Sequence, residues 1–189
     1  MEEIIDVINP QTGEPTGEKM PKSVAHKLGI WHRSIHIIII STDRTKTLLQ
    51  KRAATKPLYP NMWDIAVGGH ISAGEEPIEA AKRELHEELG LNMLEYEVEE
   101  VDHSIEQLNN GGVHSKEWVS NYVIYADIDL AKIKLQNEEV GAADWFNKEQ
   151  LNEIIAKNEA IPHITEYEIL NNILISKENK LSLTKKEVI

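Results

Sequence analysis

Residues 69–91 read GHISAGEEPIEAAKRELHEELGL. Within this stretch Pro77 to Leu89 is predicted to be a helix. Proline suits a first helical turn, where its missing N–H is not needed. Ile78, Ala81, Leu85 and Leu89 recur at helical spacing and form an apolar stripe. Gly90 then supplies a left-handed stop. Successive helical residues turn by about 100°, so Glu84, Glu87 and Glu88 share an arc of about 100°. Carboxylates gathered on one helical face repel each other by a few tenths of a kcal/mol per exposed pair. No Lys or Arg is expected on that arc to offset them. A hard divalent cation would do so. Oxygen-only ligands suit Mg²⁺ or Mn²⁺, and Mg²⁺ commonly combines few carboxylates with substrate phosphates. Arg83 stands four residues from both Glu79 and Glu87 and is placed to brace the acidic face. A merely solvated acidic face is the plain alternative. The glycine-rich lead, the arginine and the glycine stop occur together here and favour a site.

Working outward, Ser34 to Ser41 is nearly all apolar and β-branched and reads as a buried central strand. Asp43-Arg44-Thr45-Lys46 turns it into a second strand, Thr47 to Arg52. Trp63 to Val67 is a further short strand, ending at Gly68-Gly69. Ile4 to Asn9 is a strand that stops at Pro10 and the Thr12–Pro15 turn. Downstream, Glu95 to Ile105 and Trp118 to Ile128 read as strands, with Asn109-Asn110-Gly111-Gly112 in the turn between them. Glu95, Glu97 and Glu99 alternate with Tyr96 and Val98, the pattern of a strand with one solvated face. Asn147 with Gln150 forms a capping box for a helix carrying Leu151, Ile154 and Ile155. Thr165 with Glu168 forms another, ahead of Ile169, Leu170, Ile173 and Leu174. The end after Ser176 reads as frayed. Strands mixed with amphipathic helices predict an α/β fold, a mixed sheet covered by helices.

Composition limits the function. A length of 189 residues suits one domain, 1–189, with residues 1–30 as an N-terminal extension. The net charge of −12 repels a nucleic-acid backbone, so a nucleic-acid polymer is not the expected partner. Cysteine is absent, which excludes disulfides, thiolate nucleophiles and zinc–thiolate sites. Met1-Glu2-Glu3 is acidic rather than a basic leader. The longest apolar block, Ile37 to Ile40, falls far short of the ~18 residues of a membrane helix. A cytoplasmic protein with no membrane partner is expected.

The fixed points Gly69, Glu75, Arg83-Glu84-Leu85, Glu87-Glu88-Leu89 and Gly90-Leu91 resemble the Nudix box, G-x5-E-x7-R-E-U-x-E-E-x-G-U with U apolar, at every position. The identities would coincide at a given position about once in 10⁷ or less. The resemblance implies an α/β/α sandwich with the box as a loop–helix–loop. It implies hydrolysis of a nucleoside diphosphate linked to another group X, or of a non-nucleotide diphosphate, with water attacking phosphorus. It implies Mg²⁺, with Mn²⁺ as a substitute, held by Glu84, Glu87 and Glu88 and by the backbone carbonyl of Gly69. Glu75 is expected to position the loop. The general base in such proteins is either a box glutamate or an acid on a later loop, where Glu138 and Glu139 stand; Glu139 is taken with the box glutamates as a catalytic candidate. Homodimers are common in the family, so a homodimer is an open expectation.

A narrower resemblance lies upstream. Gly17-Glu18 with His26, the His32 to His36 stretch, Lys51-Arg52, Lys56, Pro60-Asn61-Met62-Trp63-Asp64 and Val67-Gly68-Gly69-His70 resemble the Nudix branch containing isopentenyl-diphosphate isomerase. In the isomerases, basic residues near Arg52 and Lys56 grip the substrate diphosphate, so both are nominated as phosphate contacts. Isomerases place a catalytic cysteine where this chain has Gly68, and glycine cannot move a proton. The resemblance therefore implies a hydrolase from the isomerase-like branch. An isomerase using another acid, and a non-catalytic nucleotide-sensing module, are the alternatives. His26, His32 and His36 lie near isomerase metal positions with a different spacing, and structural roles are expected for them. His70, next to Gly69, is nominated for a substrate or proton role. Trp31, Tyr59, Trp63, Trp118 and Tyr122 are expected mainly to pack.

Overall fold

The computed structural model describes residues 2–110 and 112–175. Its axis is β3 (Trp31–Ile40), where an unbroken apolar run is buried on both faces, as a central strand requires. Side chains alternate across a strand. Ile35, Ile37 and Ile39 therefore enter one core, with Leu85, Leu89 and Tyr122. Ile38 and Ile40 enter a second core on the opposite face, with Leu49, Val123, Leu151 and Leu170.

Seven strands form the main sheet, in the order β5-β4-β3-β8-β7, with β6 added beside β3 and β9 beside β4. These are β4 (Lys46–Arg52), β5 (Trp63–Asp64), β6 (Val67–His70), β7 (Val98–Asn110), β8 (Val113–Tyr125) and β9 (Val140–Asn147). β3 and β8 run parallel from Trp31↔Lys116 to Ile40↔Tyr125. The other pairings are antiparallel. A separate hairpin pairs β1 (Ile4–Ile8) with β2 (Pro15–Pro21), and a short helix, α1 (Lys22–Leu28), follows it. The helix α2 (Pro77–Leu89) covers the first core, while α3 (Lys148–Ala156) and α4 (Ile164–Ile173) belong to the second. The architecture is an α/β/α sandwich with a mixed sheet, as expected.

α2 has the expected bounds, with Pro77 at its start and Gly90 in the left-handed region at φ 68°. Leu85 and Leu89 are fully buried; removing a leucine side chain from water contributes roughly 1.5–3 kcal/mol. The Asn147–Gln150 capping box is present in full.

Several elements depart from the sequence expectation. Trp63 to Val67 is not one strand. Trp63–Asp64 pairs with β4, whereas Val67–His70 pairs with β3, so the chain changes partner at Ile65-Ala66. Gly68-Gly69 lies inside β6 rather than ending it. Residues 93–95 form a 3-10 turn capped by Asn92, which delays β7 to Val98. The hairpin strands continue to Asn110 and restart at Val113, leaving a shorter turn. Thr165 caps nothing. α4 starts two residues earlier from His163, and the His163 side chain is engaged elsewhere. β2, α1 and β9 carried no clear sequence signal: β2 is almost wholly exposed, and β9 has small and polar residues among its aromatics. The tail after Ser176 lies outside the described residues.

Candidate active site

β6 delivers Gly69 and His70 to the face of the sheet covered by α2. A Cβ built on Gly69 would stand 2.2 Å from Glu84 Cδ, so only glycine lets this carboxylate lie against the β6 backbone. Arg83 organises the loop. Its Nε and Nη2 donate to the two oxygens of Glu75 at 3.0 and 2.9 Å, and Nη2 also donates to the His70 carbonyl at 3.0 Å. Glu75 in turn accepts the Ser72 N–H at 3.0 Å, which fits its expected loop-positioning role. Arg83 Nη1 contacts Glu84 at 2.7 Å and Glu87 at 3.4 Å. The expectation that no base meets the acidic arc is therefore corrected: the arginine folds back along the helix onto it. Its expected brace to Glu79 is replaced by Lys82, 2.7 Å from that carboxylate.

The box carboxylates differ in environment. Glu88 is 6% exposed and accepts a hydrogen bond from Gln50 Nε2 at 2.9 Å. Burial, then the charge of Glu84, raises its pKa to about 8. Burial likewise raises Glu84 to about 7, against the pull of Arg83. Glu87 is exposed. Two neighbouring acids that resist ionisation on one wall carry a charge cost that a bound cation would relieve. The carboxylates and the Gly69 carbonyl fit hard-cation chemistry, although the three side chains do not converge to the 4.8 Å spacing that the histidine groups reach.

One cleft of about 370 Å³ is lined by Gly69, Glu84, Glu87 and Glu88 together with Arg52, Lys56, His70 and Glu139. Lys56 is ion-paired with Glu139. Arg52 is fixed by the Leu58 carbonyl at 3.0 Å and by Asp64 at 3.3 Å. Glu138 is not among the cleft residues. The sequence reading missed Lys22 and Glu3, which enter from the N-terminal extension paired at 2.6 Å. It also missed Gln50, whose role appears only once β4 faces α2.

The histidines fall into two groups. His26, His32 and His70 converge with Glu117, their ligand atoms within 4.8 Å of one another. His26 Nε2 and His70 Nε2 are 3.1 Å apart, and Glu117 Oε1 lies 3.8 Å from His70 and 3.9 Å from His32. Burial lowers the pKa of both His26 and His70, leaving neutral imidazoles with lone pairs to offer. His32 is fully buried and its Nε2 has no hydrogen-bond partner. An orphaned buried nitrogen beside neutral imidazoles and a carboxylate suits a transition-metal ion. His36 belongs to a different group, with Nδ1 donating to Glu166 Oε1 at 3.0 Å.

A helix of glutamates opening beside Arg and Lys in an α/β/α sandwich is the arrangement of a phosphate-handling hydrolase class. The chain belongs to the Nudix hydrolase family: the NUDIX domain model matches residues 31–167. It is 33% identical over 162 residues to Nudix hydrolase 3 of Arabidopsis thaliana, covering 84% of this chain and 21% of that protein. This chain thus spans about a fifth of the plant protein's length. It is 30% identical to the Nudix hydrolase lmo0368 of Listeria monocytogenes, over 88% of this chain and 92% of that one. Among solved structures, DR0079 from Deinococcus radiodurans superposes with a TM-score of 0.70 at 19% identity, over 90% of this chain and 99% of the other, a likeness of fold. Among the described residues no helix is long and apolar enough to cross a membrane.

Proposed function

We propose that this chain is a Mg²⁺-dependent hydrolase, with Mn²⁺ as an alternative ion, that cleaves the diphosphate linkage of a nucleotide or another small diphosphate metabolite. The single observation that carries this reading is one cleft lined by Gly69, Glu84, Glu87 and Glu88 together with Arg52 and Lys56. Glu84, Glu87, Glu88 and the Gly69 carbonyl would hold the ion, which when bound supplies charge to neutralise phosphate oxygens and the developing transition state.

The chain's own groups do the rest. Arg52, held rigid by Asp64 and Leu58, orients one phosphate, and Lys56 attracts the other. Lys56 is ion-paired with Glu139, so an arriving phosphate competes for the ammonium and frees the carboxylate. Glu139 then accepts the proton of the attacking water. Arg83 fixes the loop through Glu75 and keeps Glu84 against β6. Isomerisation finds less support, because Gly68 offers no proton at the position where the isomerases carry cysteine.

The test is a Mg²⁺-containing assay of nucleoside di- and triphosphates, sugar nucleotides, dinucleotides, and prenyl and thiamine diphosphates. At least one should be hydrolysed, and Glu88→Gln should abolish that turnover with the fold intact. Undiminished turnover in the variant rejects the assignment. Conversion of isopentenyl to dimethylallyl diphosphate would favour the isomerase instead.

A further inference from the structure

Behind the cleft lies a smaller compartment of about 80 Å³, and the two share Arg52, Gly68, Gly69 and His70 along their boundary. Gly68, common to both, presents no side chain at that boundary. The compartment's walls are mixed: Leu58, Tyr59, Leu108 and Ile161 line it together with a polar set. His36 and His163 line one side, and Asp64, Glu106 and Glu117 also face it.

The walls are held in place by hydrogen bonds. His163 Nε2 donates to Asp64 Oδ1 at 2.7 Å, and its Nδ1 is bonded to Glu106. Glu166 accepts from His36 Nδ1 at 3.0 Å and from Ser104 Oγ at 2.7 Å, and Ser104 accepts from Asn121 at 3.1 Å. His36 is 4% exposed. Its Nε2 has no hydrogen-bond partner among the described residues and faces Gly68, where a Cβ would stand 3.6 Å from it. His36, Glu106 and Glu117 each offer one atom within 4.8 Å of the others. An atom centred among three such points lies no more than about 2.8 Å from each, within hydroxyl hydrogen-bonding reach.

We infer that the polar side of this compartment, His36 with Glu106 and Glu117, binds the hydroxylated end of the group X, a vicinal diol of a sugar or polyol, in preference to an apolar chain of the same size. The inference rests on the diphosphate-hydrolase reading above. A hydroxyl both donates and accepts: with Nδ1–H on Glu166, a protonated His36 donates from Nε2 to the hydroxyl oxygen while the hydroxyl donates to a carboxylate, and with the ring neutral one hydroxyl donates to Nε2 and its neighbour to a carboxylate. A second hydroxyl on the adjacent carbon reaches the other carboxylate. An alkyl chain would displace water from all of these groups and replace none of its hydrogen bonds, and sites built from buried polar groups discriminate strongly against such analogues.

The test uses non-hydrolysable methylene-bridged analogues of glyceryl diphosphate and isopentenyl diphosphate, which have the same number of non-hydrogen atoms. Methylenediphosphonate serves as the reference. All are titrated calorimetrically into the full chain with Mg²⁺. The glyceryl analogue should bind at least about tenfold more tightly than the isopentenyl one. His36→Asn keeps a donor for Glu166 but withdraws the atom facing Gly68, and it should shrink that ratio to about threefold or less. Glu106→Gln should shrink it in the same direction and serves if the first variant does not fold. An isopentenyl analogue that binds as tightly as the glyceryl one overturns the inference, as does a preference unchanged in both variants. In those cases binding of methylenediphosphonate leaves the hydrolase reading intact. If methylenediphosphonate itself does not bind, the diphosphate site fails, and the inference falls with it.

Discussion

Consider Glu88→Gln in the metal-free protein. Glu88 is 6% exposed, is bonded to Gln50 at 2.9 Å, and lies close enough to Glu84 to feel its charge. Its pKa rises from 4.5 to about 8, chiefly through burial. Below pH 4.5 the carboxyl is neutral in both folded and unfolded chains, so folding has no ionisation cost. Between 4.5 and 8 the unfolded chain releases its proton and the folded chain keeps it, so stability falls as pH rises. At about 1.4 kcal/mol per pH unit, the limit above pH 8 is about 5 kcal/mol. Local relaxation and water entry reduce this to about 2–4 kcal/mol. Glutamine keeps a carbonyl to accept from Gln50 but has no charge to bury. In EDTA the variant should therefore match the wild type near pH 5 and exceed it by roughly 5–10 °C in Tm near pH 8.5, at about 2–4 °C per kcal/mol for a chain this long. Added Mg²⁺ should reverse the order, stabilising the wild type and leaving the variant unmoved. Thermal unfolding followed by circular dichroism across pH 5–9 decides the matter. A wild-type-minus-variant difference that stays flat with pH, or a variant less stable at pH 8.5, would refute the reasoning.

Other outcomes follow from the same geometry. Gly69→Ala drives a methyl group into Glu84, whose carboxylate end can swing away; kcat/KM should fall about 10–100-fold with little change in Tm, and a variant with unaltered Mg²⁺ dependence would contradict this. Arg83→Lys keeps the charge but loses the two-pronged grip on Glu75, so turnover and Tm should both drop, as activity assays and calorimetry would show. The His26–His32–His70–Glu117 group should hold a transition-metal ion: dialysis against a chelator should lower Tm by several degrees, and His32→Leu should remove both the ion, by elemental analysis, and the chelator effect. Leu85→Ala should cost about 2–5 kcal/mol in urea unfolding, because the side chain is fully buried beneath the box helix.

These expectations differ in how much of them the sequence already holds. The bounds of α2 were readable because Pro77, the apolar spacing and Gly90 act within a few residues of one another. The buried strand was readable because Ile37 to Ile40 allows no solvated face. The histidine group was not, since its members come from α1, β3, β6 and β8 and meet only when β3 pairs with both β6 and β8. The start of α4 was misplaced because His163 is fixed by Asp64, 99 residues away, rather than by a local cap. The box glutamates show where the division falls. Their arc is a local fact, and on an exposed helix it would cost a few tenths of a kcal/mol per pair. What turns Glu84 and Glu88 into acids with pKa values of about 7 and about 8 is burial against β6 and β4, which outweighs the opposing pull of Arg83 on the first and of the Gln50 hydrogen bond on the second. The motif locates the oxygens, and the fold determines whether they hold a proton or a cation. In the proposed reading, β6 serves both functions: Gly69 lines the ion site, and Gly68 borders the compartment proposed for X.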